Sequence, residues 1–105
     1  MSATCRATVR ILNRLGLHAR PAAHFVRLAS GFTSDIYVSR DSVEVNGKSI
    51  MGVMMLAAEE GAQIEIRAEG EDAERAVEDL VSLVERGFDE DDEGRPVHGE
   101  GGQDD

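Results

Sequence analysis

The chain has one cysteine, Cys5, in 105 residues. A lone thiol cannot close an internal disulfide, so the fold must hold without covalent bridges, and the sequence suits a reducing compartment. Long apolar runs are missing too. No stretch is extended and apolar enough to cross a bilayer, and the opening segment MSATCRATVRILNR lacks the continuous apolar core of an export signal. Together these absences predict a cytoplasmic protein with no membrane insertion. Positive charge is scarce: 11 Lys and Arg against 21 Asp and Glu give a formal net charge of −10. Phosphate backbones are held by dense Lys and Arg, so this balance argues against a nucleic-acid partner. The histidines supply no metal set, because His18 and His24 are six apart and do not share a helix face, and His98 lies in an acidic stretch. There is no Gly-rich loop, no acid–base constellation and no internal repeat, so neither a stand-alone enzyme nor a cofactor is expected.

A chain of this length fits one domain that can bury enough apolar surface to fold unaided. Its charge is graded along the sequence. The first third, up to Ser34, holds Arg6, Arg10, Arg14, Arg20 and Arg27 and no acid, whereas residues 89–105 hold eight acids against Arg95 alone. That last stretch carries −7 of the total, so the rest is only mildly acidic, with a cationic N-terminal third suited to an acidic partner or a phosphoryl group. The stretch DEDDEGRPVHGEGGQDD has no apolar period, and burial there cannot offset the entropy of ordering it. The sequence therefore divides into a domain over residues 1–88 and a solvated acidic tail over 89–105. The tail can aid solubility or fold back over the Arg-rich face; the first is the simpler reading.

TCRATVRIL alternates Cys5, Ala7, Val9 and Ile11 with polar partners, the period of a strand with one buried face. Ala22, Phe25, Val26 and Ala29 recur at helical spacing over 19–30, with Pro21 near the start, where a missing N–H costs nothing, and Gly31 past the end. SDIYVSR and SVEVNG read as two strands joined by a tight turn. KSIMGVMMLAAEEG reads as a short helix with one flank uncovered, weakened by Gly52, and AQIEIRAEG as a further half-buried strand. Over 71–88, Ala73, Ala76, Val77, Leu80, Leu83 and Val84 mark the clearest helix, with Glu71 and Asp72 at its positive end and Arg86 at its negative end. This order predicts an α+β fold, with helices stacked on one face of a four-stranded, mostly antiparallel sheet.

His18 stands at the head of the first helix. There it lies over the first free N–H groups, where the dipole favours negative charge and an uncharged imidazole. Such a ring can attack phosphorus, and the group it gains would sit where helix N-termini bind anions. Arg20 adds a guanidinium suited to phosphoryl oxygens, and Pro21 limits how the turn rearranges. Many histidines at helix starts only solvate or cap the terminus, and the local pattern alone leaves both readings open. His24 reads as a surface helix residue, Cys5 as inert packing. Ser49, after a turn and before the short helix, reads as an N-cap. Arg27 can meet acidic partner surfaces at a rim, or belong to a solvated face.

GLHARPAAHFVRLASGF and NGKSIMGVMMLAAEEG resemble the HPr family, the histidine-containing phosphocarriers of the bacterial phosphotransferase system; the similarity runs from about Thr4 to Arg86. The resemblance implies an open-faced β-sandwich with strand order 1-4-2-3 and three helices on one face. It implies a carrier, usually monomeric, whose turnover depends on the enzymes at either end. His18 aligns with the histidine that takes a phosphoryl group on Nδ1 from phosphorylated enzyme I and passes it to an EIIA-type acceptor, and Arg20 with the arginine that steadies that group. Ser49 aligns with a regulatory site modified by an HPr kinase/phosphorylase. Phosphate there would add about −1.5 to −2 charge beside a docking surface. Ile50, Met51, Met54 and Met55 align with much of the surface that partners meet, and methionine's flexibility suits several partners on one patch. Val53 and Leu56 of the same helix read as core. The other reading is a regulatory binding module that acts mainly through Ser49, with little transfer through His18; intact Arg20 and Pro21 count against it. The methionine-rich helix and the serine context lean toward a regulatory branch over sugar uptake.

Overall fold

The computed structural model of the chain describes residues 3–91 and 93–96. Strand β1 (Ala3–Arg10) leads to helix α1 (Ala19–Ala29), the hairpin β2 (Asp35–Arg40) and β3 (Val43–Asn46), the short helix α2 (Ile50–Met55), strand β4 (Gln63–Gly70) and helix α3 (Ala73–Glu85). The four strands form one antiparallel sheet in the order β1-β4-β2-β3. The expected α+β sandwich, with its three helices, is therefore present.

Alternation explains the layering. In β4, Ile64, Ile66 and Ala68 are buried while Gln63 is exposed and Glu65, Arg67 and Glu69 are half-buried; in β2, Ile36 and Val38 point the same way. Against that face, α1 places Ala22, Phe25, Val26 and Ala29, and α3 places Ala73, Ala76, Val77, Leu80, Leu83 and Val84. Each fully buried large side chain among these contributes about 1.5–3 kcal/mol from removal of apolar surface from water. Polar pairs cross the opposite face: Arg67 stacks 4.2 Å from the Tyr37 ring centroid and meets Glu44 at 3.0 Å and also Glu69. Hydrogen bonding to Glu44 holds the Arg67 guanidinium still more firmly charged.

Two details position the loops. The β2–β3 hairpin turns through Asp41 and Ser42, with Asp41 left-handed at φ 55°, a conformation that aspartate tolerates better than most residues. Asp72 stands at the start of α3 as the dipole argument expects, but its carboxylate caps no amide of its own helix. Instead it accepts from the Thr33 and Ser34 amides, each at 2.9 Å, and from the Ser34 hydroxyl at 2.5 Å. Donation from that hydroxyl, then from the Thr33 amide, lowers the Asp72 carboxyl to about 2. The acid expected to serve the α3 dipole thus ties the α1–β2 loop to the head of α3.

The stretch read as a solvated tail differs from that reading where it is described. After α3 the backbone stays left-handed through Gly87, Phe88 and Asp89, with φ of 66°, 57° and 57°. This places Phe88 in the core at 3 % exposure and reverses the chain. Residues 90–96 then form a small hairpin. Glu90 bridges Pro96, the Asp91 amide donates to the Arg95 carbonyl at 2.8 Å, and Asp91 Oδ1 accepts from the Glu93 and Arg95 amides, each at 2.9 Å. These bonds, the Arg95 amide foremost, hold the Asp91 carboxyl below its ordinary value. Asp92, His98 and the rest of residues 97–105 lie outside the described residues.

Candidate functional site

His18 is the N-cap of α1, extended at φ −76° and ψ −172°, and its side chain caps no amide. The first intrahelical bond runs from the Ala22 amide to the His18 carbonyl at 3.0 Å. Helix geometry therefore leaves the Ala19 and Arg20 amides without intrahelical acceptors, and Pro21 has no N–H to satisfy. The imidazole is 35 % exposed, reachable from solvent beside those amides.

The approach to His18 is shaped by a close passage of two loops. Gly16 is left-handed at φ +70°, and a Cβ there would come within 2.5 Å of the Ala58 carbonyl oxygen, so only glycine fits. The next amide, of Leu17, donates to that same oxygen at 2.9 Å. Asn13, 5 % exposed, spans the loop from inside, its Nδ2 donating to the Gly16 carbonyl at 2.9 Å and to Glu90 Oε1 at 3.0 Å.

Glu90 is the site's unexpected member. Its side chain is 1 % exposed and faces His18 Nε2, which stands 3.2 Å from Oε1 and 3.1 Å from Oε2. Only Oε1 lies in hydrogen-bond alignment; among the described residues Oε2 and Asn13 Oδ1 have no hydrogen-bond partner. Arg20 donates from Nη1 to the Gly94 carbonyl at 2.9 Å. Gly94 itself lies over the edge of the ring, where a Cβ would stand 3.7 Å from His18 Cε1 and Nε2. Beside this contact a cleft of about 410 Å³ is lined by Arg20, His24, Arg27, Phe88 and Glu90, among others. The structure thus brings His18, Arg20, Asn13 and Glu90 together. Arg27 is exposed at the rim, and His24, expected at the surface, is half-buried in the cleft wall.

Ser49 caps α2, its hydroxyl accepting from the Gly52 amide at 3.0 Å. Past the far end Arg40 donates to the Leu56 carbonyl at 3.2 Å and to the Ala57 carbonyl at 2.8 Å. Val53 and Leu56 are buried as read from the sequence, whereas Ile50, Met51, Met54 and Met55 are 44 %, 75 %, 40 % and 73 % exposed. The helix packs against α1, which carries His18 at its head. No helix among the described residues is long and apolar enough to cross a membrane.

Fold and site together define a small open-faced sandwich that presents one imidazole at a helix start. The family described as "PTS HPr component phosphorylation site" matches residues 5–86. The phosphocarrier protein HPr of Treponema pallidum is 49 % identical over 83 residues, covering 79 % of this chain and 94 % of its own. The crystal structure of HPr-C-His from Thermoanaerobacter tengcongensis superposes with a TM-score of 0.80 at 48 % identity, over 83 % of this chain and 98 % of that one. The Bacillus subtilis catabolite-repression protein Crh, solved as a swapped dimer, aligns with a TM-score of 0.65 at 44 % identity, over 75 % and 91 % of the two chains. The chain belongs to the HPr family of the phosphotransferase system. It is a phosphocarrier and not an enzyme in its own right.

Proposed function

We propose that the chain carries phosphoryl groups on His18, taking them from phosphorylated enzyme I and yielding them to an EIIA-type acceptor. One observation carries the reading: a solvent-reachable ring stands at the N-cap of α1, beside amides that the helix leaves free. The lone pair on Nδ1 of the neutral ring forms a bond to phosphorus as the donor's bond to phosphorus breaks and that electron pair returns to the donor. Transfer onward reverses these roles, with the N–P pair returning to His18 as the acceptor attacks. Little covalent chemistry is required of the protein, so positioning and charge compensation are its tasks. Free amides and the Arg20 guanidinium supply the compensation at an exposed site, which keeps the group transferable.

The exposed Ile50, Met51, Met54 and Met55 form the docking surface in this reading, with Arg27 at its rim. Ser49 is the regulatory position, acted on by an HPr kinase/phosphorylase. Its phosphate would remain compatible with the helix start while setting negative charge against the apolar patch that partners use. Likeness to Crh supports such a regulatory output beside the carrier role. The working unit is taken as a cytoplasmic monomer, since one chain supplies both ring and arginine; sedimentation is the check, given the swapped dimer of the Bacillus relative.

The test is incubation with enzyme I and phosphoenolpyruvate. Acid-labile, alkali-stable phosphate is expected on the wild type and absent from His18→Ala. If the wild type stays unlabelled while a serine kinase modifies Ser49, the module acting through Ser49 replaces this reading.

A further inference from the structure

We propose that Glu90 is a positioning residue for His18: its buried carboxylate accepts the proton of Nε2, leaving Nδ1 as the nitrogen with a free lone pair. The inference rests on the reading of His18 as the phosphoryl acceptor. It adds the device that selects which ring nitrogen reacts.

An imidazole with one proton can carry it on either nitrogen, and the hydrogen bond at one nitrogen sets the role of the other. Here the acceptor is built in. Glu90 Oε1 lies 3.2 Å from Nε2, and the Asn13 amide holds that same oxygen from the other side at 3.0 Å. Asn13 cannot swing away without losing its second bond, to the Gly16 carbonyl at 2.9 Å. With the Glu90 side chain 1 % exposed, water does not compete for the carboxylate.

The backbone that delivers Glu90 is costly, which argues against an incidental contact. Phe88 adopts left-handed geometry at φ 57°, which costs a bulky side chain about 1–2 kcal/mol, and Asp89 follows it at the same φ. Burial of Phe88 and the Asp91-centred hairpin hold the chain in that path. The matched family segment ends at residue 86, so Glu90 lies in the part of the chain beyond it.

The charge accounting favours transfer. When Nδ1 takes up the phosphoryl group, the ring keeps its Nε2 proton and gains a formal positive charge, which the carboxylate on the opposite side of the ring compensates. When the group leaves, the N–P electron pair neutralises the ring and the Nε2 bond to Glu90 persists. No proton need be exchanged with solvent in either direction.

The experiment compares the full chain with Glu90→Gln and Glu90→Ala, using nitrogen NMR of His18 and single-turnover phosphorylation by enzyme I. In the wild type the proton is expected on Nε2 and slow to exchange. In Glu90→Ala that proton exchanges too fast to observe, and the transfer step at saturating enzyme I slows by about 10-fold, with apparent affinity unchanged within about twofold. Glu90→Gln keeps an acceptor oxygen and loses the charge, so it retains the Nε2 proton and transfers at an intermediate rate. The inference is overturned if wild-type His18 carries its proton on Nδ1, or if both variants transfer at the wild-type rate or faster, as they would were the segment merely a plug. If enzyme I labels no form of the protein, the carrier reading fails, and the nitrogen spectrum still decides where the ring proton sits.

Discussion

Replacing Gly16 by alanine should be among the most damaging single-methyl additions in this chain. The cost has two parts. A left-handed φ of +70° costs a side-chain-bearing residue about 1–2 kcal/mol. The new methyl would also stand 2.5 Å from the Ala58 carbonyl oxygen and 2.9 Å from the Glu59 Cα, both backbone atoms that cannot rotate aside. Relief requires the two loops to separate, which strains or breaks the 2.9 Å bond from the Leu17 amide to Ala58. Overpacking of this kind costs about 1–3 kcal/mol, and a lost hydrogen bond about 0.5–1.5 kcal/mol. The expected destabilisation is therefore about 2.5–6.5 kcal/mol, a large share of the roughly 5–15 kcal/mol that holds a small domain. Gly61 provides the control: its φ is +89°, but nothing lies within 4 Å of an added Cβ, so Gly61→Ala should cost only about 1–2 kcal/mol. Denaturant unfolding of both variants, at unchanged slope, measures the difference. If Gly16→Ala falls within about 0.5 kcal/mol of Gly61→Ala, the close passage does not constrain the loop and the account of how His18 is presented is wrong.

Ser49→Ala removes the acceptor for the Gly52 amide and should lower stability by about 1 kcal/mol in thermal or denaturant melts, while leaving phosphorylation of His18 intact. Met51→Asp with Met55→Asp changes two side chains that are 75 % and 73 % exposed; stability should stay within about 0.5 kcal/mol per site, while the apparent affinity for enzyme I weakens in transfer assays. Asp72 has a folded value of about 2 against an ordinary 3.8, so the stability it contributes is present above about pH 4 and is lost as pH falls toward 2. The melting temperature of the wild type should therefore drop more steeply over that window than that of Asp72→Asn, and parallel curves would refute the clamp.

What the sequence disclosed and withheld follows from the range of each interaction. Alternation in β4 and β2 and helical spacing in α1 and α3 are local signals, and each element appears where its period places it, except that α3 stops at Glu85, short of the expected Phe88, because the chain turns left-handed at Gly87. Ser49 was legible as a cap because a cap is set by the next three residues. For α2 the period could not say which apolar residues stay in water, since Ile50, Met51, Met54 and Met55 compete with Val53 and Leu56 for one short helix; packing resolved it. Glu90 was not legible. It stands in a run of acids that looks solvated, and its partner His18 is 72 residues away. Asn13 was hidden for the same reason, lying in a loop with no period and meeting Glu90 across 77 residues. Asp72 stands at the head of α3, where a local dipole signal puts an acid, but its partners, Thr33 and Ser34, lie far back in the chain.

Strand β1 pairs with β4, Ala3 opposite Gly70 and Arg10 opposite Gln63, so β1 has no neighbour in the sheet until β4 has followed it out of the ribosome. Closing so long a loop is slow, and during synthesis the opening strand must wait unpaired while the β2–β3 hairpin can already form. Nascent chains stalled at increasing lengths should thus resist protease at β1 only after β4 has emerged. Glu90 follows later still, so the imidazole acquires its carboxylate neighbour only at the end of assembly, once the scaffold around it is complete.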